Sequence, residues 1–513
     1  MSIPPEDSTP SMPQDPSPAP AVDPRPGLTH GGADWAGLRV TVVGLGLSGF
    51  AAADALLERG ARVTIVSPDA TGIIAERGTI LEILGARILL GDPDGVGESA
   101  LSAVTGAELV IVSPGVRPTD PLMLAAAAAG IPVWGEVELA WRMRPADGAA
   151  PWLTVTGTNG KTTTVKMLAS ILSAAGLRAV AAGNVGTPIV EAVLHPQPFD
   201  VIAVELSSFQ LHWSHTIAAV ASACLNVAPD HIDWHGSYAE YLAAKGKVYA
   251  NTHLACIYNV DDPQTEQLVR DADVVEGCRA VGFTLGIPAL SMLGVVDDIL
   301  ADRAFVEQRA HSAAELGSLA DLRGAGTSLA PHYVANALAA AALARAYGVG
   351  PLAVRDGLRS FRPDAHRIAE VATVEGVLFV DDSKATNPHA AGAALAAYES
   401  VVWVAGGQLK GADVDSLVAR YAERLRGVVL LGVDRHVIAT SLARHAPDVP
   451  VVDVSETDTG VMDLVVGHAA RLASPGDVVL LSPAAASLDM FTSYGQRGDA
   501  FAEAVRRHAD TAQ

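Results

Sequence analysis

The sequence predicts an α/β protein built from three doubly wound domains, and three observations carry that expectation. From Leu38 onward, short β-branched runs alternate with Ala/Leu-rich helical stretches, the written form of parallel sheets covered by helices. Two strand-to-helix junctions carry glycine-framed turns, Gly44-Leu-Gly-Leu-Ser-Gly49 and Gly157-Thr-Asn-Gly160-Lys-Thr162. At 513 residues the chain exceeds one core, and about 150 residues per domain gives three.

Residues 1–36 are rich in Pro, Ser, Asp and Gly without an apolar core, and read as a disordered tail with no signal peptide. The first domain, 37–140, opens with a strand Arg39 to Val43. The turn at Gly44–Gly49 then starts an alanine-rich helix, followed by strands Val63 to Val66 and Leu109 to Ser113. This is a Rossmann-like half. The acid expected on a ribose is missing, because the second strand ends at Ser67 with Asp69 displaced beyond Pro68, so the turn reads as a site for a nucleotide diphosphate rather than firmly for NAD.

The central domain, 141–362, is of the P-loop ATPase kind. An apolar strand with Leu153 and Val155 runs into Gly157, Thr158, Asn159, Gly160, Lys161, Thr162 and Thr163, and a helical run continues from Val165 to Leu172. Glycines there let backbone N–H groups approach phosphates, Lys161 reaches the terminal phosphates, and the Thr162 hydroxyl is offered to Mg²⁺. Only Thr158 and Asn159 separate the glycines, where the usual motif has four residues. ATP is the expected ligand. Strands are expected at Val201 to Glu205 and Ala223 to Val227, loops or short strands over Gly286 to Gly326, and a helix over Tyr333 to Tyr347. The third domain, 363–513, is again Rossmann-like. Its strands are Val377 to Val380, Val401 to Ala405, Val428 to Leu431, Val451 to Val454 and Val478 to Leu481, closed by an acidic helix after Gly498.

Composition narrows the function. With 35 basic against 57 acidic residues the formal charge is -22, which argues against nonspecific binding to nucleic acid or anionic membrane. Apolar runs such as Leu122 to Ala129 fall short of the roughly 20 residues that span a bilayer. Cys224, Cys256 and Cys278 form neither a disulfide framework nor a zinc knuckle, and a cytoplasmic location fits.

Several polar residues follow strands, where α/β sheets bind ligands. Glu205 is a candidate Mg²⁺ ligand or else a strand-end surface charge. Asn226 to His235 is read as a loop because of Pro229 and Gly236; His231 and His235 lack a third partner for zinc. Lys245 shares a helix face with Tyr238, Tyr241, Leu242, Val248 and Tyr249, so either it snorkels to water or burial keeps its amine neutral and usable. Asp364-Ala-His366-Arg367 and Asp381-Asp382-Ser-Lys384-Ala-Thr386-Asn387 either staple a domain boundary or face the phosphate loop, where Arg367 would stabilise a transferring phosphoryl group.

Jointly these residues resemble the Mur ligase family, the ATP-dependent amide-forming enzymes of peptidoglycan assembly with their folate-polyglutamating relatives. The resemblance covers about 37 to 510. It rests on Thr156–Thr163, Gly183-Asn184-Val-Gly186, Glu205–Gln210, Asp230-His231-Ile-Asp233 with Lys245, His332–Asn336, His366-Arg367 and Asp382–Asn387. Ser482-Pro-Ala-Ala-Ala-Ser487-Leu-Asp489, with Tyr494 and Gln496-Arg-Gly498, is similar to members that add D-glutamate to UDP-N-acetylmuramoyl-L-alanine.

The resemblance implies an acid–amino-acid ligase of the cytoplasm, monomeric, that forms an acyl phosphate and gives ADP and phosphate. It implies that Leu47, Ser48 and Ser113 hold the UDP end of the substrate and Asn184 its muramoyl end. Two Mg²⁺ ions would lie among Thr162, Glu205, His231 and a carbamate on Lys245, His231 being ligand or base. Asn336 and Asp382 would bind adenosine, Arg367 the γ-phosphate, and Lys384, Thr386, Lys410, Ser487 and Tyr494 the amino acid. Tyr333, Tyr494 and Ser67 depart from the family pattern, where asparagine, phenylalanine and an acid are common. The alternatives are a sister ligase or folate-type ligase with another acceptor, a nicotinamide-binding redox protein, and a nucleotide sensor without turnover.

Overall fold

The computed structural model describes residue 25 and residues 27–91, 97–322, 329–456 and 460–512. Residues 1–24 and 26 of the expected tail lie outside the described residues. Within its last part, Leu28 and Trp35 are instead buried against the first sheet's core. An indole and an isobutyl group removed from water supply the apolar burial that the surrounding composition lacks.

Three sheets follow one another along the chain. The first holds β1 Arg39–Val43, β2 Arg62–Ser67, β3 Arg87–Leu90, β4 Leu109–Val112 and β5 Val133–Gly135, all parallel in the order β3-β2-β1-β4-β5. Strand order reverses between β1 and β4. Gly44 and Ser113 follow those two strands and stand at the crevice where such sheets take ligands. Gly44 needs φ 90, and a Cβ on Gly49 would lie 2.0 Å from the Gly44 carbonyl oxygen, so the helix Leu47–Glu58 can start this close only on glycines.

The second sheet holds β6 Trp152–Thr156, β7 Ala179–Gly183, β8 Val201–Glu205, β9 Ala221–Cys224, β10 Ala255–Asn259, β11 Arg279–Phe283, β12 Met292–Val296, β13 Ile299–Asp302 and β14 Ala314–Ser318. Its order is β14-β13-β12-β11-β10-β9-β6-β8-β7, with antiparallel pairing only at β12-β13 and β13-β14. The switch point is β6, flanked by β8 and β9. All of β6, β8 and β9 is buried, as central parallel strands covered on both faces are. The expected strand over Ala223 to Val227 ends at Cys224, because Asn226 leaves the ladder to bond the phosphate loop. The helix expected at Tyr333–Tyr347 runs Pro331–Ala346, with proline at its first turn.

The third sheet holds β15 Ala369–Val374, β16 Val377–Asp381, β17 Val401–Gly406, β18 Leu425–Leu431, β19 Val451–Asp453 and β20 Val478–Leu481 in the order β15-β16-β20-β17-β18-β19. Only the β15-β16 hairpin is antiparallel; β16 pairs β20, β20 pairs β17, β17 pairs β18 and β18 pairs β19 in parallel. The closing helix starts at Tyr494, ahead of Gly498. Between the sheets, Glu138 and Arg142 of the helix Glu136–Arg142 form a fully buried ion pair at 2.6 Å, and Glu138 also accepts from the His215 and Thr216 amides. Among the described residues no helix is long and apolar enough to cross a membrane.

Candidate nucleotide and metal site

The phosphate loop leaves β6 and enters the helix Lys161–Ala174 through two glycines in conformations that other residues rarely adopt, Gly157 at φ 152 and Gly160 at φ 85. Asn336 fills the space a side chain on Gly160 would need, its Oδ1 lying 2.4 Å from an added Cβ. Loop shape is held from the neighbouring strand. The Asn159 amide donates to Asn226 Oδ1 at 2.9 Å, and Asn226 Nδ2 returns a bond to the Asn159 carbonyl at 3.1 Å.

Lys161 Nζ donates to the Gly157 and Thr158 carbonyls, both at 2.9 Å. Burial pushes its pKa down, opposed by Glu205 and Asp230. Lys245 supports the loop from behind. It is 1% exposed, and its Nζ donates to the Gly157 carbonyl at 2.8 Å and lies 4.8 Å from the Tyr241 ring centroid. Burial, and then the Lys161 charge, lower its pKa to about 7. The helix-face reading of Lys245 therefore resolves in favour of burial, against snorkelling.

Glu205 ends β8 and is 2% exposed. Asn184 Nδ2 donates to its Oε1 at 2.9 Å, while Oε2 is buried without a hydrogen-bond partner. An unpaired buried carboxylate oxygen is costly unless a cation joins it. Among the described residues no group of three or more His, Cys, Asp or Glu is placed to hold a metal. The nearby donors, Glu205 and the Thr162 hydroxyl, are hard oxygens, and one carboxylate completed by phosphate oxygens is how proteins hold Mg²⁺. The residues fit that ion.

His231 differs from the sequence expectation in its surroundings. The stretch read as a loop between Pro229 and Gly236 contains one helical turn, Ile232–His235, with His231 in a left-handed conformation at φ 52 as its N-cap. Its Nε2 lies 3.6 Å from Asp230 Oδ2 and its ring 4.7 Å from that of Phe209. Burial holds its pKa below the ordinary value, with Asp230 opposing.

The third sheet meets the loop across one cleft. Thr158, Asn159, Gly160, Lys161, Thr162, Thr163, Asn184, Glu205, His231 and Asn336 line one wall; Arg367, Asp382, Lys384 and Thr386 line the other. Arg367 sits between two left-handed residues, His366 at φ 62 and Ile368 at φ 48, a costly geometry for a β-branched side chain. Carboxylates over-determine it. His366 Nδ1 lies 2.6 Å from Asp381 Oδ2, and Asp382 accepts from the Ile368 amide at 3.3 Å and the Ser482 hydroxyl at 2.9 Å. Burial pushes the Asp382 pKa up to about 7.

The remaining expected residues lie off this cleft. Gly157 and Lys245 stand behind its loop. Lys410, at φ 53, is near enough for its charge to bear on His231. Tyr494 lies beneath Lys384, whose Nζ is 3.8 Å from the ring centroid, and Ser487 is buried with its carbonyl accepting from the Met490 and Phe491 amides. Leu47, Ser48 and Ser113 gather at the first sheet's glycine turn, where Ser113 Oγ donates to the Gly44 carbonyl at 3.0 Å.

Sequence reading left out His389 and Lys166, which line or brace the cleft, and named Asn387 without its partner. His389 Nδ1 lies 2.8 Å from Asn159 Nδ2, Asn387 Nδ2 donates to Asp230 Oδ2 at 3.3 Å, and Lys166 pairs with Asp364 at 2.5 Å. Asn387-Pro388 carries an N-cap signature, realised by Asn387 Oδ1 accepting from the Ala390 amide, and of the two readings of its cluster the one that faces the phosphate loop is met by its contact with Asp230.

Family models match three successive stretches: the Mur ligase MurD-like N-terminal domain over residues 38–135, the Mur ligase middle domain over 155–344, and the Mur ligase glutamate ligase domain over 366–485. The chain is 59% identical over 475 residues to a UDP-N-acetylmuramoylalanine–D-glutamate ligase of Streptomyces coelicolor, covering 92% of this chain and 98% of that one. It is 47% identical to one of Mycolicibacterium smegmatis, covering 92% and 97%. Among solved structures, the MurC ligase of Thermotoga maritima shares the fold with a TM-score of 0.54 at 20% identity, over 92% of this chain and 100% of that one.

Proposed function

Because the chain belongs to the Mur ligase family, we propose that it adds D-glutamate to UDP-N-acetylmuramoyl-L-alanine at the expense of ATP. The carrying observation is the cleft in which Lys161, Thr162 and the unpartnered Glu205 oxygen face Arg367 and Lys384. That pairing of a phosphate cradle with opposed cations suits transfer of a phosphoryl group to a carboxylate held between two sheets.

Residues 37–140 hold the UDP substrate at Leu47, Ser48 and Ser113, residues 141–362 hold ATP, and residues 363–513 hold the amino acid. Lys161 and Arg367 hold the γ-phosphate from opposite sides while the alanyl carboxylate attacks in line, giving acyl phosphate and ADP. Lys384 and Thr386 orient D-glutamate so that its neutral amine attacks the acyl carbon. The tetrahedral oxyanion collapses to amide, phosphate leaves and the amine proton is released. Mg²⁺, two ions in this reading, offsets charge on the phosphates; Thr162, Glu205 and His231 would hold it.

Lys245 adds its neutral amine to CO₂, releases a proton and becomes an anionic carbamate; its lowered pKa supplies the neutral amine this needs. Asn336 and Asp382 border the adenosine. The enzyme works as a cytoplasmic monomer. Phosphate release measured across amino acid acceptors tests the reading: release is expected only with UDP-N-acetylmuramoyl-L-alanine and D-glutamate together. Equal release with L-alanine or a folate acceptor would overturn it.

A further inference from the structure

The first sheet and the cleft are joined through the single turn that follows His231. The last three of its four side chains are anchored in three places. Arg117 Nη2 donates to Asp233 Oδ2 at 2.7 Å, Trp234 Nε1 donates to the Gly115 carbonyl at 3.2 Å, and His235 Nε2 lies 3.0 Å from Ser208 Oγ. The Trp234 ring is buried in a cluster with Val43, Val112, Leu122 and Met123 of the first sheet's unit. Gly115 and Arg117 belong to the loop leaving β4, the same loop whose Ser113 hydroxyl bonds Gly44 in the glycine turn.

A continuous path therefore runs from that turn to His231. The Trp234 and His235 amides both donate to the His231 carbonyl at 3.1 Å, so the helical turn fixes the backbone of the cleft residue. The side chains are bridged as well: the Phe209 ring lies 4.6 Å from Trp234 and 4.7 Å from His231. His231 holds its left-handed φ of 52 at the start of this anchored turn. The Arg117–Asp233 pair is more than half exposed on both sides and contributes little stability by itself. Its contribution is to the register of loop against turn.

We propose that Trp234 and the Arg117–Asp233 pair are positioning residues that couple the two substrate sites. A UDP-sugar settling on the Ser113–Arg117 loop fixes the Ile232–His235 turn and with it His231, so the UDP substrate and the Mg²⁺-nucleotide each tighten the other's binding. Such coupling is reciprocal, since both ligands bias one arrangement of one segment. The inference rests on the functional reading above, which places the UDP end of the substrate at the glycine turn.

Calorimetric titration of the full chain tests it, using a non-hydrolysable ATP analogue with Mg²⁺, in the absence and presence of saturating UDP-N-acetylmuramoyl-L-alanine. In the unaltered protein the second ligand is expected to bind at least about fivefold more tightly in the presence of the first. Trp234→Phe keeps the ring packing and removes the N–H; Arg117→Asp, alone or combined with it, should reduce the tightening below about twofold, while the nucleotide analogue alone binds within about twofold of normal. Exchanging the charges with Arg117→Asp and Asp233→Arg together should recover the tightening that Arg117→Asp alone loses, a rescue that loss of folding cannot produce. Tightening unchanged in all variants, or absent from an unaltered enzyme that turns over, would overturn the coupling. Unaltered protein that releases no phosphate with any acceptor would overturn the functional reading, and the coupling with it.

Discussion

Lys161 and Lys245 both donate to one carbonyl, that of Gly157, yet they reach it from opposite sides of the loop and do different things. Lys161 faces the cleft, and replacing it with alanine would remove the cation proposed to hold the phosphates without opening a core. Turnover of Lys161→Ala should fall by about 10³-fold or more with far-UV circular dichroism unchanged. Lys245 is behind the loop, and Lys245→Ala should also inactivate the enzyme, but formate or acetate should restore part of the activity by returning an anionic oxygen; phosphate release with and without the added carboxylate reads this out. Both lysines were legible in the sequence, one from its motif and one from its place on an apolar helix face. The His389 and Lys166 contacts were not, since each depends on which residue of a distant part of the chain lies opposite. The helical turn after His231 was misread as loop because Pro229 and Gly236 bound a stretch only long enough for one turn.

At the level of elements, the helices Lys161–Ala174 and Pro351–Ser360 cross at a single glycine. A Cβ on Gly357 would stand 2.4 Å from Ile171 Cα and 2.7 Å from its nitrogen, backbone atoms that cannot rotate away. Gly357→Ala should cost about 1–3 kcal/mol, as overpacking does, and lower the melting temperature by several degrees in scanning calorimetry. The helix Ile189–Val193 meets the helix Glu136–Arg142 through Glu136, whose Oε1 accepts from the Val190 amide at 2.8 Å. Burial raises the Glu136 pKa to about 7, against this hydrogen bond. The folded state thus holds a proton that the unfolded chain has lost, and this group's contribution to stability falls as pH rises from about 4.3 to about 7. Glu136→Gln keeps the acceptor and cannot ionise, so its melting temperature relative to the unaltered protein should be higher at pH 8 than at pH 5. Strands with uninterrupted apolar runs were legible; β3, β5, β7, β10, β11 and β15 were not, being short or partly polar, with pairing that only the assembled sheets supply.

Over the whole molecule the cores divide unevenly. One apolar cluster runs from Trp35 and Val40 through Trp152 and Ile202 to Tyr249 and Cys256, joining the first sheet to the second, and Trp213 and Trp234 of the second seal another face of the first. Apart from Ala330, the two clusters of the third sheet contain residues of that unit alone. Calorimetry of the unliganded protein should therefore resolve two transitions, the first and second sheets melting together and the third separately, and Mg²⁺-nucleotide should bring them closer by bridging the cleft. The succession of three α/β units was readable from the alternation of strand and helix, whereas the fusion of two of their cores was not, because apolar runs do not announce which neighbour they face. The chain passes from the second sheet to the third once, after the helix ending at Ser360. A unit with its own interior and one covalent tether can be inherited as a cassette: after gene duplication its cleft-facing residues can drift without disturbing the packing beneath the phosphate loop.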